Sequence, residues 1–314
     1  MYISVSTDAA VLGPEHEIAL RDGTIRYHDV GSGPVVVFVH GALVDATVWA
    51  PVVPALVAAG LRCVVPTWPL GSHRVPVPGM DLSPPGVAAV IDEFLAAVAL
   101  DDVTLVGNDT GGGLVQILLT TTGRERVGRV VLTPSDSFEA FFPPRFAFLP
   151  VLARIPGALA AFATTAAWFP AINRLPVGFS ALAKHPLDDD LLRRWMRPAA
   201  SDRAVRADAA RFLRGVDRRH TLAAAERLGE VEEPVLLAWA VEDPVFPISL
   251  AHRLAERLPD ARIAPVEDSF CFVAQDRPDR LAELIREFLR DERDPARRGP
   301  DRAPQPGAAA GDHA

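Results

Sequence analysis

One acidic residue, Asp109, stands between two glycines in the run Gly107-Asn108-Asp109-Thr110-Gly111. The run follows an apolar β-type stretch, Val103 to Val106, and leads through Gly112 into an apolar segment of helical period that reaches Leu119. A polar side chain flanked by glycines two positions to either side, on a turn from strand to helix, is lifted clear of the sheet edge. There it meets the positive end of the helix that follows. The glycines are needed because such a turn is strained and its backbone passes close to its neighbours. A carboxylate held this way suits two kinds of work: nucleophilic attack that forms an ester, or proton transfer.

The rest of the chain must supply a sheet for that turn to stand on. Glu17 to Leu20 and Thr24 to Val30 read as two strands joined by the hairpin turn Arg21-Asp22-Gly23. Val35 to Val39 is an unbroken β-branched and aromatic run suited to a strand buried on both faces. A helix is expected from about Trp49 to Ala59, a strand over Arg62 to Val65, and a helix from Pro84 to about Leu100 with Ser83 as its N-cap. After the segment that begins at Asp109 come a strand over Arg129 to Thr133 and, much later, one over Pro234 to Ala240. A helix near Ile248 to Leu258, a strand near Arg262 to Val266 and a closing helix from Pro278 to about Arg290 complete the pattern. This alternation predicts the α/β class, a mostly parallel sheet flanked by helices on both sides. Between Ser137 and about Gly215 no strand is predicted; the segment is rich in Pro, Phe, Ala and Arg, with helical patches at Leu191 to Met196 and Ala204 to Leu213. The expected division is a core over 1–136, a helical insertion over 137–215, a second part of the core over 216–290, and a disordered tail over 291–314.

Composition excludes several classes. At 314 residues, with 49% hydrophobic and 23% charged residues, the chain is an ordinary globular protein. A net charge of −8 argues against a nucleic-acid or anionic-membrane partner. Lys184 is the one lysine, which leaves little room for Schiff-base chemistry, and the two cysteines, Cys63 and Cys271, form no zinc-like spacing and no disulfide framework. No cofactor or metal is expected. There is no signal-peptide pattern at the N-terminus and no apolar run of transmembrane length. The expectation is a cytoplasmic protein, monomer or homodimer, whose partner is a small-molecule substrate.

The strand, the glycine-flanked Asp109 and the helix together resemble the nucleophile elbow of the α/β-hydrolase fold, in its Asp-nucleophile branch of haloalkane dehalogenases and epoxide hydrolases. The resemblance spans Glu17 to Arg290. It implies a helical cap at 137–215 and an oxyanion hole made by the backbone N–H of Thr110 with that of Ala42 or Leu43, in the run His40-Gly41-Ala42-Leu43. It further implies that Asp243, in Glu242-Asp243-Pro244, is the carboxylate that orients a base, with Glu242 as a competing neighbour. His40 is expected to orient or support the pocket, and Phe141, Phe142, Trp168 and Trp195 to line it.

The sequence departs from the family where the base should be. In the run Asp268-Ser269-Phe270-Cys271-Phe272, ahead of Asp276-Arg277-Pro278, Cys271 holds the position that the family gives to histidine. An Asp nucleophile without a base forms its ester and then stalls, because nothing activates water. A thiol beside Asp243 is a poor substitute, being pushed toward its neutral form. His73, on the loop after a core strand, is the candidate for a substitute base, the alternative being a surface loop histidine. Otherwise Asp109 and Asp243, with no cation between them, would share a proton, and Asp109 would act as a general acid or base in a lyase or isomerase; a ligand binder without turnover is the remaining alternative. The substrate-side residues match no one subfamily. The only tyrosines, Tyr2 and Tyr27, lie far from the cap, Thr110 stands where a dehalogenase has Trp, and Gly112, Gly113 and Gln116 stand where fluoroacetate-type enzymes have arginines.

Overall fold

Strands β1 (Glu15–Leu20) and β2 (Gly23–Gly31) form the expected hairpin, turning on Arg21 and Asp22. They are followed by β3 (Val35–Val39), β4 (Arg62–Thr67), β5 (Val103–Asp109), β6 (Val127–Ser135), β7 (Val235–Ala240) and β8 (Ala261–Val266). The computed structural model describes residues 9–121, 123–175 and 177–291, so the expected tail from 292 onward lies outside it. These eight strands make one sheet in the order β1-β2-β4-β3-β5-β6-β7-β8. β2 runs antiparallel to β1 and β4, and every pairing from β4 through β8 is parallel. The run predicted to be buried on both faces, β3, is buried from Val36 to Val39, and β5 and β7 are buried along their whole length.

The helices are α1 (Val53–Ala58), α2 (Pro84–Ala97), α3 (Thr110–Thr121), α4 (Phe148–Leu152), α5 (Ala158–Trp168), α6 (Asp189–Ser201), α7 (Arg203–Gly215), α8 (Arg218–Arg227), α9 (Ile248–Arg257), α10 (Val273–Asp276) and α11 (Pro278–Asp291). Ser83 caps α2 as expected, its hydroxyl accepting from the Gly86 N–H at 3.2 Å. Asp188 and Asp202 do the same work for α6 and α7. The helix expected from Trp49 begins later, at Val53; Ala46–Trp49 forms a short 3₁₀ turn capped by Asp45. Asp291, assigned to the tail, is instead the last residue of α11. α2, α3 and α8 pack into one helical layer, and α1 packs against α11. Helices α4 to α7 fall in the segment from which no strand was predicted, between β6 and β7. Among the described residues no helix is long and apolar enough to cross a membrane.

This strand order fixes where a site can form. From β3 the chain moves outward to β4, and β5 then returns to the other side of β3 before the order runs on to β8. The crevice at the carboxyl ends of β3 and β5 is therefore the point where the winding reverses, the usual place for a ligand in an open parallel sheet. The loops that carry Gly41 and Ala42 leave β3 there, and Asp109 ends β5.

Candidate active site

At the end of β5 the backbone of Asp109 takes φ +53°, a left-handed conformation that costs an ordinary residue about 1–3 kcal/mol. The glycines on either side are sterically compelled. A Cβ on Gly111 would lie 2.2 Å from the Val39 carbonyl oxygen and 2.6 Å from that of His40, and one on Gly107 would lie 2.8 Å from the Gly112 Cα. Gly112 in turn sits against Ser135, where a Cβ would meet the serine Cβ at 2.4 Å. The sharp bend, the close approach of β3 and the immediate start of α3 at Thr110 are those of the expected turn.

The Asp109 side chain is 8% exposed and lies over Gly41, whose added Cβ would fall 2.0 Å from its Oδ2. Burial pushes its carboxyl up to about 7, and Asp243 pushes in the same direction. Hydrogen bonds from the backbone N–H groups of Thr110 and Ala42 oppose the rise. Of the two expected partners for Thr110, Ala42 is the one whose N–H acts on Asp109. The Leu43 N–H is directed to the Leu70 carbonyl at 3.0 Å, and Leu43 itself is held at φ +61°.

The β7 and β8 side brings together what the sequence suggested and one group it did not. Asp243 Oδ1 accepts from the Val245 and Phe246 N–H groups at 2.7 and 3.1 Å, while its buried Oδ2 has no partner. Burial raises this carboxyl to about 7, with a further push from Asp276. Cys271 is fully buried, and its thiol donates to the Pro134 carbonyl at 3.4 Å. Burial, then Asp109 and Asp243, drive that thiol well above its ordinary range, so it is neutral and no base. Asn108 secures the region, its amide donating to Thr133 Oγ1 at 2.8 Å, to the Pro134 carbonyl at 3.2 Å and to the Cys271 carbonyl at 2.7 Å. The unforeseen group is Asp136, directly after β6. It is fully buried and neither carboxyl oxygen has a hydrogen-bond partner. Burial and the neighbouring Asp109 hold its carboxyl well above the usual range; the Thr110 hydroxyl opposes this without forming a well-aligned bond. Three buried carboxyls thus crowd one neutral thiol. Among the described residues no group of His, Cys, Asp and Glu is arranged to hold a metal ion.

Above Asp109 opens a cavity of about 500 Å³, its mouth included, walled by Ala42 and Leu43 below and by Phe142, Phe146, Phe162 and Phe179 among others above. Asn173 is the other polar residue in the lining, and its amide donates to the Ala166 carbonyl at 2.9 Å. Of the expected lining residues only Phe142 is in place. Phe141 is buried beside it but does not face the cavity, and Trp168 is 75% exposed on the outer surface. Trp195 is a packing residue: it meets Phe179 and Phe272 edge-on, and its indole N–H donates to Thr47 Oγ1 at 3.0 Å. His40 does not line the cavity either. Its Nε2 accepts from the Trp68 N–H and its Nδ1 donates to the Gly41 carbonyl, both at 2.8 Å, and burial lowers its pKa to about 4. It is a neutral brace for the loop that carries Ala42.

The substitute base fails on position. His73 is buried away from Asp109, with Nε2 3.2 Å from Asp208 Oδ2 on α7 and Nδ1 3.4 Å from the Gly71 N–H. It follows β4, which is separated from β5 by β3, and it lines a different, polar hollow with Asp45 and Arg194. Asp136 was missed because β6 was read as ending at Thr133; the strand runs on through Pro134 to Ser135, so Asp136 is a strand-end residue. The cavity phenylalanines left no local signal beyond being aromatic.

Residues 34–275 match the family model described as alpha/beta hydrolase fold. Haloalkane dehalogenase 2 of Mycobacterium tuberculosis (strain ATCC 25618 / H37Rv) is 27% identical over 288 residues, which covers 84% of this chain and 90% of that protein. A 2-hydroxy-6-oxononadienedioate/2-hydroxy-6-oxononatrienedioate hydrolase of Dechloromonas aromatica (strain RCB) is 25% identical over 278 residues, covering 85% and 91%. Among solved structures, the epoxide hydrolase CorEH without ligand superposes with a TM-score of 0.71 at 18% identity, over 88% of this chain and 98% of that one. With a matching family model over most of its length, an eight-stranded, mostly parallel sheet and the strained turn at its centre, the chain belongs to the α/β-hydrolase fold family and is a hydrolase-superfamily enzyme.

Proposed function

We propose that this enzyme acts on a small neutral organic molecule held in the apolar cavity, with residues 137–215 as the cap and Asp109 as the group that reacts. One observation carries the reading: a buried carboxyl on a strained elbow, held by the Thr110 and Ala42 N–H groups, at the floor of a cavity walled by phenylalanines. The likeness to a haloalkane dehalogenase and an epoxide hydrolase suggests an electrophilic sp³ carbon as the target. One oxygen of ionised Asp109 forms a bond to that carbon while the carbon–halogen bond breaks, its electron pair leaving with the halide. The product of this step is an alkyl ester on Asp109, with the two N–H donors on its carbonyl oxygen. The cavity lining holds no histidine, so hydrolysis of the ester lags behind its formation. Incubation with a small reactive bromoalkane should add one alkyl group to the intact mass, and peptide mapping should place it on Asp109. Unchanged mass together with no product from halides or epoxides would sink this reading.

A second reading is favoured by a specific arrangement, the crowding of Asp109 by Asp136 and Asp243. A carboxyl held at about 7 is matched to proton transfer near neutral pH, so Asp109 would serve as general acid or base without a covalent intermediate. Solvent deuterium entering a small ketone at the carbon next to the carbonyl, and lost in Asp109→Asn, would select this reading over the first.

A further inference from the structure

Seven large apolar side chains are exposed among the described residues, and six of them lie together in the helical segment: Val151, Ile155, Trp168, Phe169, Leu175 and Val177. Trp168 and Phe169 are 75% and 63% exposed, far beyond what a protein in water ordinarily shows for such groups. The outward face of α5 carries Ala161, Thr164 and Thr165, and no charged residue occurs in the sequence between Arg154 and Arg174. Nor does any acidic residue occur between Glu139 and Asp188, in a chain whose net charge is −8. The whole-chain charge therefore hides a face of opposite character.

At its α4 end the rim of this face is cationic. Arg154 directs its guanidinium to the backbone carbonyls of Pro150 and Arg214, at 2.7 and 3.0 Å, which leaves its charge uncompensated by these contacts, and exposed Arg214 lies beside it. Arg174, at the other end, shares its charge with Asp189 at 2.8 Å. We propose that this face docks on an anionic lipid surface, with Trp168 and Phe169 seated at the boundary between headgroups and acyl chains and the flanking arginines against headgroup phosphates. A second copy of the chain fits less well: two-fold pairing would bring like-charged arginines together with no carboxylate within the face to answer them. No described helix is long enough to cross a bilayer, so the segment lies on the membrane rather than through it. Val177 both belongs to the face and lines the cavity, so the face reaches the edge of the cavity. An apolar molecule dissolved in the lipid would enter the cavity from there, a consequence that rests on the proposed use of the cavity; the docking itself does not.

The test uses vesicles of phosphatidylglycerol and phosphatidylcholine in equal parts, with pure phosphatidylcholine for comparison. The full chain should float with the anionic vesicles and not with the neutral ones. Trp49, Trp68, Trp195 and Trp239 are fully buried, so a blue shift of tryptophan emission on adding vesicles reports on Trp168. The double variant Trp168→Ser with Phe169→Ser should lose at least about tenfold in binding, and Arg154→Gln should weaken binding to the anionic vesicles alone. Because both aromatic side chains are exposed, the double variant should keep the wild-type melting temperature. Absence of flotation and of any emission shift with the anionic vesicles overturns the proposal, as does binding that the double variant leaves unchanged. So does a concentration-dependent dimer that the same variant dissolves, which would assign the face to a second copy. Mass labelling of Asp109 is independent of all these readings, so either idea can fail alone.

Discussion

On the β3–β5 side of the pocket floor Asp109 and His40 have their partners, whereas on the β6–β8 side three buried carboxyl oxygens have none. Asp109 takes two backbone N–H donors, His40 is bonded through both ring nitrogens, and each glycine stands where a Cβ cannot. Opposite them, Asp243 keeps a buried oxygen with nothing to bind, Asp136 keeps two, and Cys271 turns its thiol to a backbone carbonyl. The contrast separates two requirements that a hydrolase normally meets together. On the proposed mechanism attack needs a positioned carboxylate, which Asp109 would supply, and release needs a base, for which the neutral thiol of Cys271 is unsuited. Burial, with a smaller push from the Asp243 charge, keeps Asp109 partly protonated near neutral pH.

The largest effect is expected at Gly111. Gly111→Ala places a Cβ against two backbone carbonyls of the neighbouring loop, which cannot yield as a flexible side chain would. The expected loss is on the order of 3 kcal/mol or more, read as a steep fall in Tm or a failure to fold.

Asp109→Asn should abolish alkyl labelling outright while leaving the fold intact. It also exposes the sign of the proton linkage. Asp109 and Asp243 each titrate at about 7 in the folded protein against an ordinary value of 3.8. Between those pH values the folded chain keeps protons that the unfolded chain has released, so stability falls as pH rises from about 4 through about 7 and stays low above. Thermal melts of the wild type should follow that course. Asp109→Asn should melt higher than wild type at pH 8, by an amount on the order of a few kcal/mol, and equal to it near pH 4. A wild-type Tm that climbs across this window would refute the burial of uncompensated carboxyls.

On the proposed mechanism Cys271→His would supply the base that the ester needs. The new imidazole has the free Asp243 Oδ2 to orient it, and the alkyl ester should then turn over, about tenfold faster or more, at a packing cost of about 1–3 kcal/mol. The measurement is the decay of the labelled mass. The smallest effect is expected from Asp243→Asn, which keeps the oxygen that accepts from Val245 and Phe246. Since Asp243 has no base to orient, the labelling rate of Asp109 should change less than about threefold.

Much of the sheet was legible because its signals are local. The run Val35–Val39 can be little other than a buried strand, and the glycines around Asp109 specify a bend whatever surrounds them. The site was legible only in part. Pro134 reads as a breaker, since proline cannot donate to a ladder, and this hid the fact that Asp136 stands at a strand end beside Asp109. His73 looked well placed because loops at that edge of a parallel sheet usually line the site; the strand order puts β3 between β4 and β5, and Asp208 on α7 claims the imidazole instead. Phe142 and Trp168 are equivalent as letters in an apolar helical segment, yet one walls the cavity and the other faces outward.

What the amino-acid order alone determined is the strained presentation of a carboxylate at position 109 and the want of a histidine to follow it. The first depends on residues adjacent in the chain, where backbone sterics act over a few bonds; the second is a matter of residue type alone. Which carboxyls gather around that group, which rings enclose it and which aromatic faces are left to the outside were decided by tertiary structure. Those relations join residues far apart in sequence, and they are set by how whole elements pack rather than by the preference of any one segment.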